Sequence, residues 1–434
     1  MMRRLSQPQS SAPKLLSASS YILLTSVLGG VLGYVYSVVM GRMLGPMEYG
    51  LLGALMALVP ILSVPMSTMN IAMARLFSRH LALNGRTGVA SIFWGNQLWF
   101  LVLGLVGLVA FFLCLAPLKS FLKTQDWRPI AFIGINLFFM LLLPIANGLA
   151  QASHHFKFLA FLNVAGPLAK LLGSAALVAL GWGVGGATLG LAAASAAMAG
   201  MSIIYCWKRL DAPFIAENLA KHVSFREVFP VLLAMLAFTL LFQIDVLLAK
   251  AFYDAEHAGY YAAAATLGKA VMYLPSAVVV PLLPMAAAGE ALQQNTTHLL
   301  WKAIALTLVM TTAGALFYWI FAEQVIHLLF GSAFGESAGL LKWYGLAMVP
   351  VALIMVLEHY LIAQGKLLFA YLIFLATPLL VFASWYFSDH LIDLVRVMGL
   401  VASGILLMAL VIWGFQSGVL MKGAESSKGD DDVA

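Results

Sequence analysis

Two lysines stand where a largely apolar 434-residue chain tolerates charge least. Lys170 and Lys269 each fall well inside a long hydrophobic run. Lys170 lies about twelve residues into its run, roughly 18 Å at 1.5 Å per residue, too deep for its ammonium to reach a membrane surface comfortably. Asn163, Pro167, Lys170 and Ser174 recur at i, i+4, i+7 and i+11, which puts them in one polar stripe on a helix. Thr266, Tyr273 and Ser276 share a face with Lys269 in the same way. Stripes of this kind line a polar passage, and their cations attract an anionic group. The alternative is that each lysine pairs with a carboxylate or with carbonyl groups and holds helices together.

Other charges sit nearer the helix ends. Arg42, Arg75 and Lys250 fall where cations ordinarily snorkel to the surface, although a cavity mouth would also suit them. Asp245 lies near the outer end of the seventh hydrophobic run, and Glu358, beside His359, near the inner end of the tenth. Carboxylates so placed couple transport to protons or sodium, or serve as structural partners of a nearby lysine. Asp245 and Lys250 are five residues apart, so a helix does not set them squarely on one face. Adjacent His154 and His155 point apart on a helix. With no H-x-x-x-H, C-x-x-C, Walker or Rossmann pattern, the chain offers no site for a metal, ATP or dinucleotide cofactor.

The elements that must carry these residues follow from composition. The chain is 62% hydrophobic and 10% charged, with a mean hydropathy of +0.96, which excludes an ordinary soluble enzyme and predicts an integral membrane protein. At about 20 apolar residues per span plus connections, the length accommodates about twelve helices. The hydrophobic runs predict them at 20–41, 50–74, 89–115, 130–151, 158–180, 184–207, 228–250, 260–287, 299–321, 339–363, 367–387 and 394–416. No connection is long enough to hold a folded catalytic domain. Fifteen basic residues fall on one set of connections and seven on the other. That bias predicts cytoplasmic termini and a retained first helix rather than a cleaved signal. The net charge of +6 is scattered, so no nucleic-acid partner is expected. Cys114 and Cys206 are predicted on opposite membrane faces, unable to form a disulfide. Proline at 60, 65, 167, 275, 281, 284 and 378 interrupts apolar helices, as a hinge or a static kink. The pairs Gly29/Gly33 and Gly186/Gly190 have the spacing of close helix contacts.

An internal duplication organises the chain. Arg42 aligns with Lys250, Gly50 with Gly259, Pro65 with Pro275 and Pro167 with Pro378. The triplet Leu149-Ala150-Gln151 aligns with Ile362-Ala363-Gln364, at a slowly growing offset. The predicted organisation is a cytoplasmic N-terminal segment (1–19), an N-lobe (20–209), a cytoplasmic connector (210–227), a C-lobe (228–416) and a cytoplasmic tail (417–434) that is polar and expected to be disordered from Gly423 on. The connector forms either a surface-lying helix or a plain link. An even helix number per half makes the repeats parallel, an arrangement that sets a substrate site between lobes.

The stretch Gly41-Arg42-Met43-Leu44-Gly45-Pro46-Met47-Glu48-Tyr49-Gly50 contains an LG-x-x-x-YG turn. Gln243-Ile244-Asp245-Val246-Leu247-Leu248-Ala249-Lys250 runs into Glu256-His257-Ala258-Gly259-Tyr260, and Leu328-Leu329-Phe330-Gly331 follows later. In this order, from about Ser20 to about Phe415, they resemble the polysaccharide transporter family of the multidrug, oligosaccharidyl-lipid and polysaccharide exporter superfamily. The resemblance implies an all-α polytopic membrane protein of two six-helix lobes around a central cavity. It implies a flippase of the bacterial inner membrane that moves a polyprenyl-pyrophosphate-linked oligosaccharide outward for surface polysaccharide, such as lipopolysaccharide or exopolysaccharide. Lys170 and Lys269 would then attract the pyrophosphate. Membrane lipids, a polysaccharide polymerase and glycosyltransferases of the same pathway are the implied partners. A drug or cation exporter of that superfamily is the alternative within transporters, with an acidic rather than basic cavity. A membrane-embedded polysaccharide polymerase or ligase is the alternative from another class, one that would need a large outer loop with catalytic residues.

Overall fold

The structure, a computed structural model, describes residues 12–210, 225–272, 275, 297–364 and 368–416. Every described element is helical. Eight described segments are long and apolar enough to cross a membrane, with a shorter apolar helix at Tyr371–Phe387. Two of the eight, Leu24–Asn84 and Phe156–Trp207, are 61 and 52 residues long, at least twice what one crossing needs. Large side chains such as Val106, Leu172, Leu375 and Leu407 lie more than half exposed, an arrangement that lipid rather than water stabilises. The protein is a multi-pass membrane protein.

The chain divides into two compact units, Met1–Leu232 and Leu233–Ala434. The first opens with α1 (Ala12–Asn84), interrupted at Gly45, whose φ of 70° and ψ of 173° leave the helical region. Glycine reaches that φ without a Cβ clash, and Pro46 starts the second arm with its φ already set and no N–H to satisfy. The break therefore needs one residue, where the sequence predicts a connection across 41–50. The second arm continues to Asn84, three turns past the predicted end near 74. Hydropathy marks where a helix leaves hydrocarbon, whereas Arg75, Arg79 and His80 carry the hydrogen bonding onward until Gly85, at φ 61°, stops it.

Next come α2 (Val89–Leu113), the short α3 (Leu115–Phe121), α4 (Arg128–Leu141) and α5 (Leu143–Ala152). The sequence predicts one helix over 130–151. It is split at Leu142, because Pro144 at the start of α5 offers no N–H to the preceding turn. Gln97, buried on α2, donates its amide to the Leu142 carbonyl and so satisfies a group at the break. After α6 (Phe156–Leu177), a π turn at Val178–Trp182 contains Gly181 at φ 85° and leads into α7 (Gly183–Trp207). Helix α1 packs on α4, α5, α6 and α7, while α7 also packs on α4 and α6. Two glycines permit the closest approaches: a Cβ at Gly29 would strike the Asn163 carbonyl, and one at Gly190 would strike Ser174.

The second unit begins in α8 (Phe225–Phe252). Asp254 caps α9 (Ala255–Gly268), its carboxylate accepting the His257 N–H at 2.9 Å, and these bonds hold the Asp254 carboxyl below its usual range. The helix predicted over 260–287 tightens into a 3-10 turn at Lys269–Met272. Then follow α10 (Thr297–Leu329), α11 (Ser337–Ala363), α12 (Leu368–Phe387) and α13 (Leu391–Gln416), with α11 packed on α9, α10 and α13. The Leu328-Leu329-Phe330-Gly331 motif is the stop signal of α10. Gly331 takes φ 94° while its N–H bonds the Ile326 carbonyl, and Phe330 is buried against Phe334. Pro60, Pro65, Pro167 and Pro378 all lie inside continuous helices. Cys114 and Cys206 are both free. The tail over 417–434, most of the connector over 210–227, and Tyr273, Ser276, Pro281 and Pro284 fall outside the described residues.

Candidate functional site

In the first unit the stripe on α6 meets α1. Lys170 is half-buried, its Nζ 3.8 Å from the centroid of the Tyr36 ring and 4.0 Å from Met56 Sδ. Tyr36 and Met56 belong to opposite arms of α1, so the ammonium marks the place where both arms converge on α6. An aromatic face stabilises a cation without neutralising it. Among the described residues no carboxylate lies within ion-pair reach of Lys170, so none of them offsets the charge of its ammonium. The rest of the stripe is tied into packing. Asn163 donates to Ser26 Oγ at 3.2 Å, and Ser174, fully buried, donates to the Ala187 carbonyl at 2.7 Å across the contact with α7.

In the second unit the residues form a closed polar cluster. Lys269 Nζ lies 3.2 Å from Asp245 Oδ1 and 3.0 Å from Gln243 Oε1, with the Phe242 ring centroid at 4.9 Å. The other carboxylate oxygen of Asp245 accepts from Tyr261 Oη at 3.1 Å and from the Tyr344 hydroxyl. Asp245 is 1% and Lys269 8% exposed, so this is an ion pair withdrawn from solvent, with the second carboxylate oxygen accepting from two hydroxyls. Gly268 makes room for it. A Cβ there would collide with the Tyr344 ring, so glycine lets α11 approach closely enough for Tyr344 to reach Asp245. The end of α9 is finished by Tyr318, whose hydroxyl donates to the Leu267 carbonyl at 2.7 Å. Thr266 bonds its hydroxyl to the Ala262 carbonyl of its own helix.

The remaining sequence candidates are dispersed. Arg42 and Arg75 are exposed on α1, and Lys250 is buried at the end of α8. Glu358 on α11 is 3% exposed and, among the described residues, makes no hydrogen bond or ion pair. Among those residues no group of three His, Cys, Asp or Glu side chains is placed to hold a metal ion.

Tyr36 and Met56 around Lys170, and Tyr261 and Tyr344 around Asp245, are neighbours that the sequence reading does not single out, and Gln243 appears there only as part of a motif. Gln151, from the repeated triplet, donates to Asn70 Oδ1 at 3.0 Å and joins α5 to α1. The available signal was energetic. A carboxylate and a lysine on successive apolar helices each cost several kcal/mol if isolated, which favours their meeting.

The fold is that of known membrane transporters. An inward-facing multidrug resistance MATE family transporter of the MOP superfamily superposes with a TM-score of 0.72 at 14% identity, covering 91% of this chain and 96% of the other. The lipid II flippase MurJ, in an inward closed conformation, gives 0.70 at 14% identity, covering 91% of this chain and 87% of the other. A MATE protein in complex with MaD3S gives 0.64 at 15% identity, covering 94% and 96%. A search of curated proteins gives no match. Residues 15–289, well over half of the chain, match the family described as polysaccharide biosynthesis protein, and the chain therefore belongs to that family.

Proposed function

We propose that this protein is a flippase that carries a polyprenyl-pyrophosphate-linked oligosaccharide from the inner to the outer leaflet of a bacterial cytoplasmic membrane by alternating access. It would serve surface polysaccharide assembly alongside the polymerase and glycosyltransferases of its pathway, with both termini in the cytoplasm. The observation that carries the reading is Lys170, a cation within an apolar helix bundle that is held by a π face and has no carboxylate partner among the described residues. A sugar-pyrophosphate headgroup leaves water only where polar and cationic groups replace its hydration, and a lysine whose ammonium is not spent on a carboxylate among the described residues offers that replacement. Arg42, Arg75 and Lys250 would extend the basic path toward the helix ends. Lys269 plays a different part. With its charge matched by Asp245, it clasps α8, α9 and α11, and it meets substrate only in a state that releases Asp245.

The MATE neighbours favour comparison with a multidrug exporter, but a cationic drug would be repelled by Lys170. A lysine without a carboxylate partner among the described residues supports anionic over cationic cargo.

Glu358 is assigned the coupling step in this scheme. A buried carboxyl that has no partner among the described residues exchanges a proton without breaking a bond to any of them, whereas sodium would require several further oxygen ligands. In proteoliposomes, a proton gradient is expected to stimulate translocation by the wild type and not by Glu358→Gln. Equal stimulation of both would remove Glu358 from the scheme.

A further inference from the structure

The first unit carries a second basic site, built from residues outside the Lys170 stripe. At one end of the unit, the turn between α1 and α2, the turn between α5 and α6 and the last turn of α7 enclose a cavity of about 790 Å³. Its polar lining includes Arg86, Ser91, Ser153, His155 and Arg209, and no carboxylate lines it among the described residues. Leu81, Val89, Leu149 and Leu210 supply an apolar part of the wall.

Arg209 is held in place. Arg209 lies with its guanidinium 3.6 Å from the Tyr205 ring centroid and donates Nη1 to the Tyr205 carbonyl at 3.3 Å. Tyr205 in turn stacks on Phe158 with centroids 3.6 Å apart and planes 2° from parallel, and His155 meets the Tyr205 ring edge-on at 5.7 Å. Stacking fixes the guanidinium plane while leaving further N–H donors for a ligand, and no carboxylate pairs with Arg209 among the described residues. No side chain caps α2, whose first residues also line the cavity, so the positive end of its dipole adds to the field. Burial first, and then the neighbouring Arg209, Arg86 and His154, hold the His155 imidazole below its usual range.

We infer that this cavity binds a phosphoryl group, either free in solution or borne on a lipid whose first methylenes lie against the apolar wall. Arg86 and Arg209 grip the phosphoryl oxygens in this arrangement, and His155 donates to them. The charge bias places this end of the unit at the cytoplasmic surface, where phosphorylated headgroups are plentiful. The site rests on its own geometry, and it stands or falls separately from the flippase reading.

The test uses the full-length protein in phosphatidylcholine nanodiscs, with the His155 imidazole followed by NMR across pH. Inorganic pyrophosphate is expected to raise the His155 titration midpoint, because a bound anion offsets the cations that depress it. Arg209→Gln is expected to weaken the apparent pyrophosphate affinity about tenfold, the loss of one charged hydrogen-bonding group. Arg128→Gln, a cation paired with Asp126 elsewhere, is expected to leave it unchanged. Discs containing phosphatidylglycerol separate the two sources. A raised midpoint without pyrophosphate assigns the site to a lipid headgroup, and a midpoint that responds only to pyrophosphate assigns it to a soluble phosphate. A wild-type midpoint indifferent to both overturns the proposal, and it does so whether or not the variants fold.

Discussion

Replacing Lys170 by methionine is expected to lower the rate of lipid-linked oligosaccharide translocation about a hundredfold, equivalent to about 2.7 kcal/mol of lost stabilisation along the path. The size follows from removing a charged group that a buried anion needs, typically about 2–5 kcal/mol. Stability should move the other way or not at all. Methionine fills a similar volume beside Tyr36 and Met56, and Lys170 has no carboxylate among the described residues to be orphaned by the change. Lys170→Arg should retain much of the rate, since it keeps the charge and the π contact. Thermal unfolding measured on the same preparations as initial rates separates the two effects. A variant that loses stability and rate together would make Lys170 a packing residue.

Lys269→Met is expected to produce the opposite profile, a large loss of stability, of about 3–5 kcal/mol, from stranding the buried Asp245 carboxylate. Tyr261 and Tyr344 would still donate to Asp245, but two neutral hydroxyls do not replace a cation at 3.2 Å. The change is expected as a lower thermal midpoint. Combining it with Asp245→Leu should recover part of the loss, because the double variant removes both charges and leaves neither unpaired. Independent, additive effects of the two substitutions would refute the clasp. Normal stability of Lys269→Met with abolished transport would return Lys269 to direct substrate contact.

The contrast between these lysines shows where sequence reasoning runs out. Depth in an apolar run identified both, because hydropathy is a one-dimensional property and lysine at such depth is costly wherever the helix sits. Their partners depend on packing across elements. Asp245 and Lys269 lie 24 positions apart, and Tyr344 reaches the same carboxylate from 99 positions away through a gap that Gly268 leaves. Helical periodicity put Asn163, Lys170 and Ser174 on one stripe, yet Ser174 packs into α7 while Lys170 faces α1. A stripe is wide enough to serve two neighbours, and only the crossing of the helices decides which.

The order of apolar helices was legible because each needs about 20 apolar residues. Their ends were less so. The second arm of α1 runs on to Asn84 and α10 to Leu329, since helical hydrogen bonding continues through polar residues until a glycine of positive φ ends it. Gly45 and Gly331, both inside quoted motifs, are the points where backbone geometry and motif coincide. The basic cavity around Arg209 gave no local signal, because its residues come from three connections spread over more than a hundred positions.

The most direct test of the central claim is deletion in the native host, with lipid-linked repeat units quantified on each membrane leaflet and the strain complemented by wild type or Lys170→Met. The account predicts that complete units accumulate facing the cytoplasm, that wild type restores surface polysaccharide, and that Lys170→Met, present at equal abundance, does not. Units that still reach the outer face in the deletion strain and remain there unpolymerised would contradict it, and would assign the chain to a later step of polysaccharide assembly.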